Sequence, residues 1–152
     1  MTIKFDNYTK LHEVLEYISE PFSFLERVDR TKEVCQKSQA FEFFIKELFK
    51  PTLQFNKIKE YQTIRLTKQN GKFDTYDYGI LAQRFILENL PIYDDSSEGN
   101  IRIKHSHLLQ DLDEMDFRDG MIFKEFIEGN LIIEKLNKLV AREVFGEDFL
   151  GE

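Results

Sequence analysis

Two histidines in the second half of the chain, His105 and His107, stand in a His-x-His pattern. The apolar–polar alternation over residues 101–105 predicts a short β-strand, and side chains two residues apart on a strand point to the same face. Paired imidazoles are common ligands of zinc, and the carboxylates at residues 111–114 would add oxygen ligands. One interpretation is therefore a metal-dependent hydrolase. The other is a pair of surface histidines at a helix start, because no His-Glu-x-x-His motif or cysteine pair accompanies them.

The densest acidic segment is residues 111–119, where five carboxylates fall within nine residues. An EF-hand calcium loop needs Asp or Asn at its fifth position and Gly at its sixth. Counted from Asp111, those positions hold Met115 and Asp116, so calcium binding is not expected. We interpret the segment, extended along the chain, as a partner-binding surface. Its residues are Asp111, Asp113, Glu114, Asp116, Asp119, Glu125 and Glu128.

Charge is distributed unevenly along the chain. Residues 1–90 hold 14 Lys and Arg against 13 Asp and Glu, whereas residues 91–152 hold 7 against 15. An acidic surface attracts basic proteins and cations and repels phosphate backbones. The glycines are isolated, so no phosphate-binding loop is present, and no catalytic motif stands out. The sequence thus predicts a non-enzymatic protein without a cofactor.

The opposite feature is residues 57–72, where five basic residues stand against Glu60 alone, with tyrosines and a phenylalanine close by. Interleaved basic and aromatic side chains can bind a nucleic acid strand by phosphate contact and stacking. The same charges can protect the edge of a small sheet from aggregation. Because the formal net charge is −7, we favour the second interpretation and expect no direct nucleic-acid binding.

The single cysteine, Cys35, cannot form an intramolecular disulfide, and its polar surroundings do not favour a reactive thiol. The N-terminal residues lack the apolar segment of a secretory signal, and no run approaches the 18 apolar residues of a membrane span. These features predict a cytoplasmic protein with no membrane contact.

Apolar residues at helical spacing predict most of the elements. The first helix carries Leu11, Val14, Leu15 and Ile18, with His12 beside the apolar stripe and solvated. A short second helix follows Pro21, with Phe22, Leu25 and Val28 facing inward. Further helices are predicted around residues 38–48, 78–90, 108–115 and 122–127, and a last helix is capped by Gly129-Asn130 and carries Ile133, Leu136, Val140 and Val144.

One β-hairpin is predicted at residues 61–76, because an alternating segment precedes Asn70-Gly71, a strong two-residue turn signal. Residues 94–100 have the composition of a loop but are too few for a domain linker. The predicted fold is therefore mainly α. A single globular domain, residues 1–152, holds about six to seven helices and the hairpin.

In size and acidity the chain is similar to immunity proteins of bacterial toxin systems, although it shares no family motif with them. This similarity and the acidic surface predict a small inhibitor of a basic partner, such as a nuclease toxin, that masks the partner's nucleic-acid-binding or active-site cleft. The alternatives are the hydrolase built on His105 and His107, and a structural or regulatory subunit. A simpler explanation of the acids is that they keep a Phe-rich protein soluble.

Overall fold

The computed structural model describes residues 3–66 and 79–151, which form eight α-helices and contain no strand. The prediction of a mainly α fold is confirmed. One helical segment changes type along its length, from α-helix through a π-helical stretch (Phe85–Asn89) to a 3₁₀ turn (Leu90–Tyr93). The helices are α1 (Leu11–Ser19), α2 (Phe24–Lys37), α3 (Gln39–Phe49), α4 (Asn56–Tyr61), α5 (Ala82–Arg84), α6 (Ile101–Glu114), α7 (Phe117–Glu128) and α8 (Lys138–Phe145).

Polar side chains fix where five of these helices begin. In each case the side-chain oxygen of the preceding residue accepts a hydrogen bond from a backbone N–H of the first turn, which would otherwise lack a partner. The capping residues are Ser23, Ser38, Asn100, Asp116 and Asn137. The bounds of α3, α6 and α7 therefore follow from local sequence.

The core is built from phenylalanine. Phe41, Phe44, Phe85 and Phe123 are fully buried, and they belong to one hydrophobic cluster to which all eight α-helices contribute. The Phe44 and Phe123 rings meet edge to face at 5.6 Å, and the Phe85 ring lies 4.6 Å from Phe123. Such aromatic pairs add stabilisation beyond their burial, which lets a core without disulfides hold the helices together.

The predicted hairpin is not supported. Its first arm was expected to start at Tyr61, but Tyr61 ends α4, and residues 62–66 form no strand. The Asn70-Gly71 turn and the return arm lie outside the described residues. Polar–apolar alternation over so few residues is a weak signal, and α4, whose Ile58 is buried, includes the first residue of the predicted arm.

The predicted start of the second helix and two of its three predicted buried residues are wrong. It begins at Phe24 rather than at Pro21, because Ser23 provides the cap. As a result Phe22 is 95% exposed and Leu25 is 70% exposed, and only Val28 of the three predicted residues is buried. The last helix is also shorter than predicted, since Asn137 rather than Asn130 caps it and Ile133 precedes it.

Candidate functional site

The two histidines of the alternative hydrolase interpretation lie on a helix. Residues 101–105 are the first turn of α6 rather than a strand, because Asn100 caps a helix there. On a helix, residues two apart point in different directions. His105 is buried and its Nε2 lies 3.0 Å from the backbone oxygen of Gln62, whereas His107 is exposed. The two imidazoles therefore cannot share a metal ion, and the hydrolase interpretation loses its ligand pair.

The seven acidic residues of the predicted binding surface lie in three kinds of surroundings. Asp116 and Asp119 are buried. Asp111 and Glu128 are half-buried and bonded within the chain: Asp111 accepts from the Tyr93 hydroxyl and from Asn89, and Glu128 pairs with Lys124 at 2.8 Å. The other three are Asp113 and Glu114, both half-buried at the end of α6, where Glu114 accepts from the Gln110 side chain, and Glu125, which is exposed on α7.

Asp119 caps a helix that is distant in sequence. Its Oδ2 accepts from the Leu11 amide at 3.0 Å and its Oδ1 accepts from the His12 amide at 2.8 Å, at the start of α1. The carboxylate thus satisfies two first-turn N–H groups across 108 residues of chain. Burial raises the pKa of Asp119 to about 6, although these two amides favour the charged form. The two hydrogen bonds favour the charged carboxylate and its removal from water disfavours it, and the second effect is the larger.

Asp116 has two roles at the same junction. Its Oδ1 accepts from the Arg118 amide, which caps α7, and its Oδ2 lies 2.8 Å from Lys10 Nζ just before α1. The Arg118 guanidinium lies 3.2 Å from the same Oδ2. A buried carboxylate that meets two cations and a backbone amide retains its charge at a smaller desolvation cost. Residues 116–119 and residues 10–12 therefore form one buried polar junction between α1 and α7, which we call the α1–α7 junction.

His12 completes the junction without a side-chain hydrogen bond in the described part of the chain. It is 8% exposed, and neither ring nitrogen makes a hydrogen bond there. Two carboxylate oxygens lie beyond hydrogen-bond distance, Glu16 Oε1 at 3.7 Å from Nδ1 and Asp116 Oδ1 at 3.9 Å from Nε2. The prediction that His12 is solvated is wrong. His12 lies beside the apolar stripe of α1, where residues 116–119 at the start of α7 pack against it. The sequence of α1 alone gives no signal of this contact.

The junction has the donor types of a metal site, since one donor atom from each of His12, Asp116 and Asp119 lies within 4.8 Å of the others. The chain's own cations argue against that use. Lys10 and Arg118 both bond Asp116, so a divalent ion would have to displace them or lie beside two positive charges. The arrangement is better suited to hold α1 against α7 than to bind a cation.

Several large apolar side chains lie on the surface. Besides Phe22, Ile132 is 83% exposed, and Leu139 of α8 is also exposed. The Nζ of Lys135, which lies between Ile132 and Leu139 in the sequence, is 5.4 Å from the centroid of the Phe22 ring. Phe22, which precedes the Ser23 cap of α2, therefore lies beside the segment that precedes α8. Exposed aromatic and aliphatic side chains of this size are typical of contact surfaces.

Comparison of the chain with protein-family models, with curated proteins and with solved structures gives no match. Among residues 3–66 and 79–151, no helix combines the length and the apolar character that crossing a bilayer requires. Any functional assignment therefore depends on the residues themselves.

Proposed function

We propose that the protein is a small binding protein that neutralises a basic partner protein, such as a nuclease toxin, in the manner of an immunity protein or antitoxin. The observation that carries the proposal is the separation of charge along the chain, with 7 Lys and Arg against 15 Asp and Glu in residues 91–152. A partner that handles nucleic acid presents a cationic cleft, and carboxylates placed over it would mask it. In this proposal the protein acts in the cytoplasm and catalyses no reaction.

The carboxylates that this proposal assigns to partner binding are three that lie outside the α1–α7 junction and are half-buried or exposed. Asp113 and Glu114 end α6, and Glu125 lies on α7, about 12 Å along the helix axis from Phe117 at ~1.5 Å per residue. Asp116 and Asp119 are not part of this surface, because their oxygens are bonded inside the α1–α7 junction. Asp113, Glu114 and Glu125 would act mainly on the rate at which the protein and its partner associate. Complementary charge can raise association rates to about 10⁸–10⁹ M⁻¹s⁻¹ at low salt.

Two features of the structure support a binding role over an enzymatic one. At the α1–α7 junction the two carboxylates, Asp116 and Asp119, are buried and their oxygens accept hydrogen bonds from the chain itself. By contrast, Phe22 and Ile132 are almost fully exposed and offer apolar contact area. Interfaces that combine an apolar centre with charges around it obtain affinity from the first and specificity from the second.

The test is a charge reversal with a matched control. We expect Asp113→Lys/Glu114→Lys/Glu125→Lys to keep the helical circular dichroism spectrum and to weaken binding of the partner recovered by cross-linking in the native cell. The loss should be roughly 10- to 100-fold, mostly in the association rate, and should shrink at high salt. The control, Asp29→Lys/Glu60→Lys/Glu98→Lys, makes the same change in net charge at exposed residues on other elements.

Two results would contradict the proposal. One is equal weakening by both triple variants, which would indicate a general charge effect. The other is a recovered partner that is acidic, or whose affinity does not depend on salt.

A further inference from the structure

A cavity of about 320 Å³ lies between the end of α3, the segment that follows it, α4 and the end of α7. Its walls expose polar and apolar atoms in about equal measure. The apolar side chains that line it are Leu48, Leu53, Phe55, Phe126, Ile127 and Leu131. Ligand pockets in proteins span about 300–1,000 Å³, so this cavity has room for a compact molecule.

Glu47 holds one wall of the cavity in place. The residue is only 4% exposed, and its carboxylate accepts from the backbone amides of Thr52 at 2.7 Å and Leu53 at 2.8 Å. The Thr52 hydroxyl is a third donor, at 2.9 Å. Charge-assisted bonds of this kind are the strong ones, and here they fix the turn between α3 and the cavity wall.

The rest of that wall is tied to a second loop. The Gln54 amide donates to Asp94 Oδ1 at 2.7 Å, and the Asp95 amide donates back to the Gln54 carbonyl at 2.7 Å. The Lys57 amide, on α4, donates to Asp95 Oδ1 at 2.8 Å. Residues 52–57 are therefore held at both ends, and the cavity does not have to be assembled when a ligand arrives.

Phe126 provides an aromatic surface inside the cavity. Its ring lies 4.8 Å from Phe44 and 6.0 Å from Phe55, and it remains half-buried rather than buried. The ring is thus supported from the core while part of its surface faces the cavity. An aromatic or alkyl group placed there would lose water-exposed apolar area on both sides.

Lys59 gives the cavity a charge preference. It lines the cavity and is exposed, and within the described residues its ammonium group makes no hydrogen bond or ion pair. Its Nζ lies 3.9 Å from the position that a Cβ on Gly129 would occupy, so the ammonium lies against the end of α7. The other charged lining residue, Glu47, already accepts from three donors. The charge that is free to meet a ligand is therefore positive.

We propose that this cavity binds a small organic acid, with an aromatic or alkyl body against Phe126 and a carboxylate paired with Lys59. The proposal is independent of the partner-binding role, because none of the carboxylates assigned to the partner lines the cavity. It assigns a small-molecule site to a protein for which the sequence predicts only a protein partner.

The experiment compares three ligands that differ only in the head group: 4-phenylbutyrate, 4-phenylbutylamine and 4-phenyl-1-butanol. Each is titrated into ¹⁵N-labelled full-length protein, and amide shifts are followed by NMR. We expect saturable shifts with 4-phenylbutyrate at Leu53, Phe55 and Leu131, and binding roughly tenfold weaker for the amine. Lys59→Ala should remove most of this preference, whereas Lys32→Ala on α2 makes the same charge change away from the cavity and should preserve it.

Leu131→Trp supplies a second check, because the larger side chain fills the cavity and should abolish the shifts while the spectrum stays dispersed. Equal affinity for all three ligands would overturn the proposal and indicate an apolar pocket for a neutral group. Shifts scattered over other surfaces, or no saturation with 4-phenylbutyrate, would also overturn it. If Leu131→Trp does not fold, the location of the wild-type shifts decides between these outcomes.

Discussion

Two acidic regions of the chain, residues 111–119 and residues 134–148, differ in what their carboxylates do. In the first, Asp116 and Asp119 are buried and bonded to the N-terminal residues 10–12. In the second, all four carboxylates, at Glu134, Glu143, Glu147 and Asp148, are exposed. The denser region therefore contributes less to the surface than its composition indicates. Local density of charge predicts a surface only where no distant part of the chain has unsatisfied donors to bring to it.

The largest expected effect separates a buried carboxylate from an exposed one. We predict that Asp119→Ala lowers the free energy of unfolding by about 3 kcal/mol, because it leaves the Leu11 and His12 amides buried without an acceptor. Glu125→Ala should change it by no more than about 0.5 kcal/mol. Urea unfolding of both variants measures the difference. Similar values for the two would mean that water replaces the Asp119 oxygens and that the junction is not structural.

The next effect compares two lysine–carboxylate pairs of the same length. In the first pair, Lys10 Nζ lies 2.8 Å from Asp116 Oδ2, and both side chains are little exposed. In the second pair, Lys124 Nζ lies 2.8 Å from Glu128 Oε1 one helical turn further on, and both side chains are more exposed. We expect Lys10→Met to cost about 2 kcal/mol, with Arg118 limiting the loss, and Lys124→Met to cost about 0.5 kcal/mol or less. Denaturant midpoints test this ranking, and the reverse order would contradict it.

The smallest expected effect is a dependence on pH. An aspartate in the unfolded chain releases its proton near pH 4, whereas burial raises the pKa of Asp119 to about 6 in the folded protein. Between these values the folded state binds more protons, so the part of the stability that comes from protonation of Asp119 falls as pH rises through the window and is lost above it. Relative to Asp119→Asn, the wild type should gain about 1 kcal/mol between pH 7 and pH 5. A constant difference between the two proteins over that range would refute the assignment.

Much of the fold can be predicted from local sequence. Apolar spacing defines α1, and apolar spacing with a polar cap defines α3 and α7; buried residues such as Leu11, Phe41 and Phe123 are ones that the spacing selects. The errors arise where two local signals compete. Alternation over residues 101–105 indicates a strand, but the Asn100 side chain accepts from the Arg102 and Ile103 amides and starts α6. The helix forms because it continues the helical spacing of apolar residues that leads to Leu108.

The candidate site was less predictable, for a different reason. The role of Asp116 as a helix cap could have been recognised from its position before Phe117, since Asp is a preferred capping residue. The partners of Asp119 could not, because they lie 107 and 108 residues away. The same applies to the cavity, whose lining comes from α3, α4 and α7. Neither arrangement leaves a periodic signal in any one segment.

Because Asp119 completes the first turn of α1, the opening helix of the chain depends on a residue that a ribosome adds much later. While the intervening segment is still being synthesised, the Leu11 and His12 amides have only water as an acceptor, and a helix of nine residues is marginal in water. Closing a loop of this length also slows the approach to the native state. We therefore expect the N-terminal segment to be unfolded in fragments that end before residue 116. C-terminal truncation should then impair folding, whereas two complementary fragments should fold only when they are mixed.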